Sequence, residues 1–332
     1  MENMTPSARK TLFLIGPGLI GGSLLVKLKE VRPDLNLHAL TRRDDQAEEL
    51  KTLGINPVRG SLEDSHIIKE WAAKSDIIIH TAGADDDKSA FAVVDGLKSR
   101  PKGSPRAIYI HTSGNDELVG SARDLGNKSV EGKTISDLYM TDEELDSRIA
   151  PHAPHRHVDG PLRKEIVNSE KEKEYNVVAS IMMPPLIYGI GSAPWYRISI
   201  QTPMLTTYMM KNGLVTLPEG HSGVWNCVWV HDLVDEYVLL LQYLESIEPG
   251  QRRPHYCFPA EKKPFSWKEH FDAVASELNR LGHPAAEKSD GKSRTLQTRE
   301  EFMEFLGGSE NPYSECFSYI VWGTENSYTS PE

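Results

Sequence analysis

The sequence predicts an α/β fold built on a doubly wound parallel sheet, and three observations lead there. Short apolar runs alternate with stretches of helical periodicity through the first half of the chain. Several of those runs are apolar at consecutive positions, the pattern of strands buried on both faces. The first run ends in Gly16-Pro17-Gly18-Leu19-Ile20-Gly21, a G-x-G-x-x-G turn of the kind that joins a strand to a helix. With 332 residues, 39% hydrophobic and 26% charged, the chain can bury one large core or two smaller ones.

Thr11 to Ile15 forms the first strand, and Ile20, Leu24, Leu28 and Val31 recur at helical spacing after the turn. Residues 11–26 are almost uncharged and follow Arg9 and Lys10, which superficially resembles a signal peptide. Four glycines and a proline would spoil its apolar helix, and Lys27, Lys29 and Glu30 stand where a small-residue cleavage site is needed. As strand, turn and helix the same residues form a dinucleotide-binding turn. Gly16 permits the tight turn, Gly18 lets the backbone approach a pyrophosphate, and Gly21 lets the helix pack closely on the strand. The bland alternative is a glycine-rich turn that exists for packing alone.

A second strand, Leu35 to Leu40, is followed by Thr41-Arg42-Arg43 rather than by the acidic residue that would hold a ribose 2′-hydroxyl. Guanidinium groups suit a 2′-phosphate, so NADP(H) is favoured over NAD(H). Ile55 to Val58 reads as a third strand, Ile67 to Ala73 as part of a helix, Asp76 to His80 as a fourth strand and Ala107 to His111 as a fifth. Val177 to Met182 supplies a sixth and Val224 to Val230 another. Asp232 then caps a helix whose Leu233, Tyr237, Leu240, Leu244 and Ile247 share a face. Ser266 caps a last long helix to Leu281, with Phe271, Val274 and Leu278 inward.

The glycine turn, GSLED at 60–64, DIIIHTAG at 76–83, YIHTSG at 109–114, PPLIYG at 184–189 and VWVHDL at 228–233 occur in a recognisable order. In that order and spacing the chain resembles the extended short-chain dehydrogenases/reductases, and in particular the fungal NAD(P)-binding, epimerase/dehydratase-like members grouped with NmrA-like proteins. The resemblance runs from Thr11 to about Gly282. It implies a Rossmann-type doubly wound parallel sheet with a smaller C-terminal substrate-binding subdomain. The division is residues 1–183 with about 224–250 for the NAD(P)-binding part, and 184–223 with 251–332 for the substrate part. It also implies that Gly16, Gly18, Leu19, Ile20 and Gly21 surround the pyrophosphate, with Arg42 and Arg43 near the adenosine phosphate and Ser61 and Leu62 at adenine. Thr81, Ala82 and Gly83 would line the ribose and nicotinamide side, and Pro184, Leu186 and Ile187 the carboxamide. Ser113 matches the hydroxyl that holds a substrate carbonyl or alcohol.

The sequence departs from that pattern in three places. The glycine turn is one residue short, and alone it also resembles that of prephenate-type dehydrogenases. Ser61 stands where an aspartate is usual. The Y-x-x-x-K pair, a tyrosine acid/base with a lysine that lowers its pKa, is missing. Its place is taken by His155-Arg156-His157-Val158-Asp159-Gly160, where His155 and Asp159 lie four apart and would meet on one helix face. An aspartate that orients and charges a histidine is an acid/base unit; a histidine-rich surface loop is the structural alternative. His111 is read as a satisfied polar group and Tyr188 as structural. No H-E-x-x-H or cysteine pairing supports a metal.

Between Ser113 and Pro151 the chain is polar and glycine-containing, either a lid or a solvated insertion. Trp195, Tyr196, Ile198, Ile200, Met204, Leu205, Tyr208, Met209 and Met210 fall where the family builds its substrate pocket, and suit a bulky apolar substrate better than a phosphorylated sugar. The 37 Lys and Arg against 48 Asp and Glu, a net charge of −11, argue against nucleic acid or an anionic membrane as partner. Cys227, Cys257 and Cys316 lie too far apart for metal or redox spacing, and reduced thiols in a cytoplasmic protein are the simplest reading. The expectation is an NADP(H)-binding oxidoreductase-like enzyme of reductase, epimerase or dehydratase type, with a small-molecule substrate and a homodimer left open. The alternatives are a non-catalytic NADP(H)-sensing regulator, or a non-redox isomerase or cyclase on the same fold.

Overall fold

Alternate residues of a strand face opposite ways, so a run of consecutive apolar residues must be covered twice. In the computed structural model, which describes residues 9–118, 141–221, 223–248, 251, 253–287, 292–311 and 321, such strands form the middle of one sheet of which six strands match the sequence reading. They are β1 (Lys10–Ile15), β2 (Leu35–Thr41), β3 (Asn56–Arg59), β4 (Ile77–His80), β5 (Ala107–Thr112) and β6 (Val177–Met182). The order across the sheet is β3, β2, β1, β4, β5, β6, and a seventh strand, Tyr256–Cys257, adds parallel to β6 at the edge. All seven run parallel.

Leu12 and Leu14 of β1, Ile77 and Ile79 of β4 and Ile108 and Ile110 of β5 face one side. There they meet Leu24, Leu25 and Leu28 of helix α1 (Leu19–Val31) and Leu233, Tyr237, Leu241 and Leu244 of the helix Val230–Ser246. Phe13, Ile15, Ile78 and Tyr109 face the other, against Ile68 and Ala72 of the helix Ser65–Lys74, Val93 and Leu97 of the helix Asp87–Lys98 and Val158 and Leu162 of the helix Arg156–Glu165. Each of these fully buried leucines and isoleucines contributes roughly 2 kcal/mol of hydrophobic stabilisation.

A third core belongs to the smaller unit, where Leu205, Met209, Trp267, Phe271, Phe302 and Phe305 pack together. Ser266 caps the helix Trp267–Arg280 as expected, in a capping box with Glu269. Two expectations are corrected here. Val224 to Val230 is not one strand, because the chain changes partner at Asn226. Val224–Trp225 pairs antiparallel with Phe265–Ser266, Cys227–Trp229 pairs parallel with Leu186–Tyr188, and Val230 already opens a helix. Asp232 consequently lies inside that helix's first turn and not at its cap, which is Trp229. Its charge still favours the helix dipole. The seventh strand also draws Tyr256–Cys257, assigned by sequence to the substrate part, into the main sheet.

Cys227 and Cys257 are free thiols, and Cys316 lies outside the described residues, as do Tyr139 and residues 119–140 of the polar segment after Ser113. Among the described residues no helix is long and apolar enough to cross a membrane.

The three glycines of the first turn have separable roles. Gly16 sits at φ +85°, and a Cβ there would lie 2.5 Å from the backbone nitrogen of Ala82. A Cβ on Gly21 would fall 2.3 Å from Thr81 Oγ1 and 2.4 Å from the Gly16 carbonyl oxygen. One on Gly18 would meet nothing within 4 Å. Gly21→Ala is therefore expected to destabilise the chain by about 3 kcal/mol through overpacking, and Gly18→Ala by less than about 1 kcal/mol. Urea unfolding of the two variants measures the difference, and equal losses would contradict this division of roles.

Candidate active site

In an open parallel sheet, ligands gather beyond the carboxyl ends of the strands where the strand order reverses. Here that point lies between β1 and β4, and a cavity of about 530 Å³ opens there. Its sheet side is made by Leu19 and Ile20 at the start of α1, Thr81 to Ala84 after β4, and Thr112 to Gly114 with Asp116 after β5. His155, Pro184, Pro185 and Ile187 close one wall, and Ile198 to Gln201 with Met204 of the smaller unit close the opposite one.

The glycine turn is fixed from three directions. Thr81 donates its hydroxyl to the Gly16 carbonyl at 2.8 Å, so it serves the turn. The Pro17 carbonyl accepts from the buried Gln46 side chain at 2.9 Å and from the Trp195 indole at 2.6 Å. Ala82 packs under Gly16, while Gly83 borders the cavity, and a Cβ on it would make an ordinary contact with Asp86 at 4.0 Å. Pro184 and Ile187 line the cavity, but Leu186 faces away into the core of the smaller unit, because neighbouring strand residues point to opposite sides.

At the other end of the cleft, beyond β2 and β3, three arginines gather. Arg42 is exposed. Arg43 forms an ion pair with Asp45 and donates to the Tyr196 hydroxyl at 2.6 Å, with its guanidinium 5.3 Å from the ring centre. Arg59 pairs with Asp44 and donates to the carbonyls of Arg42 and Arg43. Tyr196 adopts φ +44°, the left-handed region that side chains seldom occupy. Ser61 gives its hydroxyl to Asp64 at 2.8 Å, and Leu62 packs against the core, so both are partly spoken for within the loop.

The predicted acid/base pair is corrected. His155 and Asp159 do lie one helical turn apart, but His155 is the left-handed N-cap residue at φ +62° and its ring turns away from Asp159. Its Nδ1 bonds Asp85 at 2.8 Å and its Nε2 bonds Asp116 at 3.1 Å. Asp159, fully buried, accepts instead from the hydroxyl of Ser113. Burial works against a charge on His155, yet the hydrogen bonds and charges of Asp116 and Asp85 push its pKa up to about 11. With both ring nitrogens engaged, His155 is a fixed cation at the cavity wall. Behind Ser113 lie Glu117, fully buried and paired with Arg156 at 3.2 Å, and His111, whose burial keeps it neutral beside Tyr109. Tyr188 is half exposed and donates to Glu261, away from the cavity.

Sequence reasoning missed Asp85, Asp116, Glu117, Gln46 and Arg59. Asp116 and Glu117 carried a signal, since they follow the carboxyl end of β5, whereas nothing local marks Gln46. His155→Gln would remove the positive charge that Asp116 and Asp85 both bond and is expected to cost about 3 kcal/mol near pH 6. Because folding raises this histidine's pKa, its stabilisation is complete below pH 6.5 and declines as pH climbs towards 11. The penalty of the variant should therefore shrink between pH 7 and pH 10 in denaturant titrations; a pH-independent penalty would mean the imidazole is neutral.

No protein-family model matches the chain. It is 25% identical over 246 residues to the oxidase ucsJ of an Acremonium species, covering 72% of this chain and 68% of that one. It is 26% identical over 233 residues to an uncharacterised protein of Schizosaccharomyces pombe, covering 70% of each. Among solved structures it is similar to a UDP-glucose 4-epimerase of Thermotoga maritima, at 14% identity and TM-score 0.59, over 94% of this chain and 98% of that one. A dTDP-glucose 4,6-dehydratase of Bacillus anthracis in complex with NAD matches at 13% identity and TM-score 0.56, over 96% and 97%. With its seven parallel strands and flanking helices, the chain thus has the Rossmann-type fold of these epimerases and dehydratases.

Proposed function

We propose that the protein is an NADP(H)-binding oxidoreductase-like enzyme, of reductase, epimerase or dehydratase type, that acts on a small apolar organic metabolite. One observation carries the reading: the glycine turn and Ser113 open onto a single cavity whose far wall is Ile198, Ile200 and Met204. The open space over Gly18 fits a pyrophosphate held on the free amides at the start of α1. Gly16, Gly18, Leu19, Ile20 and Gly21 would hold that group, Arg42, Arg43 and Arg59 the adenosine phosphate, and Ala82, Gly83, Pro184 and Ile187 the nicotinamide end. Once bound, the cofactor supplies a hydride donor or acceptor.

The chain's own part is to place the substrate and manage its proton. Ser113, at the end of β5, presents its hydroxyl between the cavity and the buried Asp159. It can pass a proton between a substrate oxygen and that carboxyl. His155 holds its positive charge at the wall, but Asp85 and Asp116 already match that charge and engage both ring nitrogens. No Lys or Arg is among the described residues that line the cavity. A nucleoside diphosphate would bring negative charges to a wall that does not receive them, and an apolar carbonyl compound would not. The regulator reading draws on the empty tyrosine position; the Ser113–Asp159 pair at the cavity favours the enzyme.

Calorimetric titration tests the assignment. Arg42→Ala should weaken NADP(H) at least tenfold, the loss of one charge-assisted contact of roughly 1.5 kcal/mol or more, and leave NAD(H) nearly unchanged. Tyr196→Phe, which frees Arg43, should act in the same sense but less. Equal losses for the two cofactors would remove the arginines from the phosphate site. Failure of both cofactors to bind would overturn the whole reading.

A further inference from the structure

The group at this site that no motif marks is Glu117. It lies in the single turn Asn115–Leu118 that follows β5, fully buried, and its carboxyl adjoins that of Asp159, fully buried in the helix Arg156–Glu165. Each carboxyl has one satisfied oxygen and one unsatisfied. Asp159 Oδ2 accepts from Ser113, while Oδ1 lies 3.5 Å from His111 Nε2, beyond hydrogen-bond reach, and has no hydrogen-bond partner. Glu117 Oε1 accepts from Arg156, while Oε2 has no hydrogen-bond partner.

The charges facing the pair do not balance two anions. Arg156 is the cation in contact with it, and that guanidinium is shared with Asp146 at 2.9 Å. From β5, His111 contributes a buried neutral ring. The nearby His155 is committed to Asp85 and Asp116, and Tyr256 from the edge strand is a phenol that donates to Asp146. Two adjacent carboxylates in an apolar enclosure, with half a guanidinium between them, cost far more than one carboxylate and one carboxylic acid.

We propose that Glu117 and Asp159 hold one proton between them and that Ser113 connects this store to the cavity, which makes Glu117 a positioning residue for proton transfer. The connection rests on the reading of the cavity as catalytic; the shared proton does not. When a substrate carbonyl is reduced by hydride, which a bound reduced nicotinamide would supply, the C=O π pair moves to oxygen, and the Ser113 hydroxyl turns from Asp159 and gives that oxygen its proton. The pair's proton moves to Asp159 Oδ2 and from there to Ser113 Oγ, leaving both carboxylates charged beside Arg156 until solvent returns a proton. Burial raises both above the ordinary carboxylate range; the charge of Asp159 raises Glu117 further, while the Ser113 hydroxyl, His155, the contact with Glu117 and Arg156 draw Asp159 part of the way back.

Infrared spectroscopy of the full chain in heavy water, with no substrate or cofactor present, reads the shared proton directly. The wild type should show one buried carboxylic-acid C=O band at pH 7 that disappears on raising the pH. Glu117→Gln, which keeps an amide N–H to face Asp159, should abolish it, and Asp34→Asn, at an exposed aspartate paired with Arg32, should leave it. Ser113→Ala should shift the band by removing the hydrogen bond to Asp159. Should Glu117→Gln fail to fold, ¹³C labelling of glutamate and of aspartate in the wild type takes its place, and must move the band. No acid band at pH 7, a band that survives Glu117→Gln, or one moved by neither label would overturn the shared proton. A band unmoved by Ser113→Ala would overturn the link to the cavity. Failure of NADP(H) titration would leave the band intact, so the two proposals fall separately.

Discussion

The geometry of the molecule depends on how closely β1 can approach β4 beyond their carboxyl ends. Gly16 lies so near Ala82 that no side chain fits between them, and Thr81 reaches across to hold the Gly16 carbonyl. That contact sets where α1 begins. It also exposes the Pro17 carbonyl to two donors from different parts of the chain, Gln46 and Trp195. Trp195 belongs to the segment that leads into the smaller unit, and its indole packs near Gly22 of α1. The indole therefore docks the smaller unit onto the turn, and the space left between them is the cavity. A polar contact at a buried carbonyl is well suited to this, because it fixes direction as well as distance.

The second organising feature is a set of buried charges beneath the site. Asp146 joins Arg156, Arg163 and the hydroxyl of Tyr256, and Asp142 accepts from the backbone and ring of His255. His255 and Tyr256 lead into the edge strand beside β6, so the helix Asp142–Arg148 ties that strand to the helix carrying Asp159. Arg253 adds a bond to Glu172 and to the Ala179 carbonyl on β6. Such pairs offset desolvation and add little net stability. They do fix position, and the short strand Tyr256–Cys257 has few other means of holding its place.

What the residues reveal in advance is what depends on near neighbours. β1, its turn and α1 are legible because strand, glycine spacing and helical period occupy one continuous stretch. Ser113 is legible by its place at the end of a buried strand. Tyr256–Cys257 is not, since two residues carry no period and take their strand conformation from Ile181 and Met182. The break at Asn226 is equally hidden, because the partner that claims Val224–Trp225 arrives some forty residues later, at Phe265–Ser266. The pairing of His155 with Asp159 looked natural from four-residue spacing, but the ring is captured by Asp85 and Asp116, 70 and 39 residues away. Spacing on a helix says which side chains can meet. It does not say which stronger partner the fold brings up.

On the proposed reading, His155 and Asp159 stand where the resembled pattern has a tyrosine and a lysine, and the electrostatics of the place are inverted. A phenol ionises well above neutrality and needs a cation to bring it down to a useful range. A carboxylic acid ionises well below, and the same range must be reached by raising it. Full burial of Asp159 acts in that direction and outweighs the Ser113 hydroxyl, His155, Glu117 and a guanidinium already claimed by Asp146, which act against it. The cation has moved to the other position of the pair, where two carboxylates keep His155 charged and prevent it from acting as the base. In the proposed relay the proton travels by Ser113, the hydroxyl that touches both the cavity and Asp159. Under the proposed relay, proton transfer at this site would be governed by how dry the enclosure behind Ser113 stays, rather than by a lysine beside the reacting group.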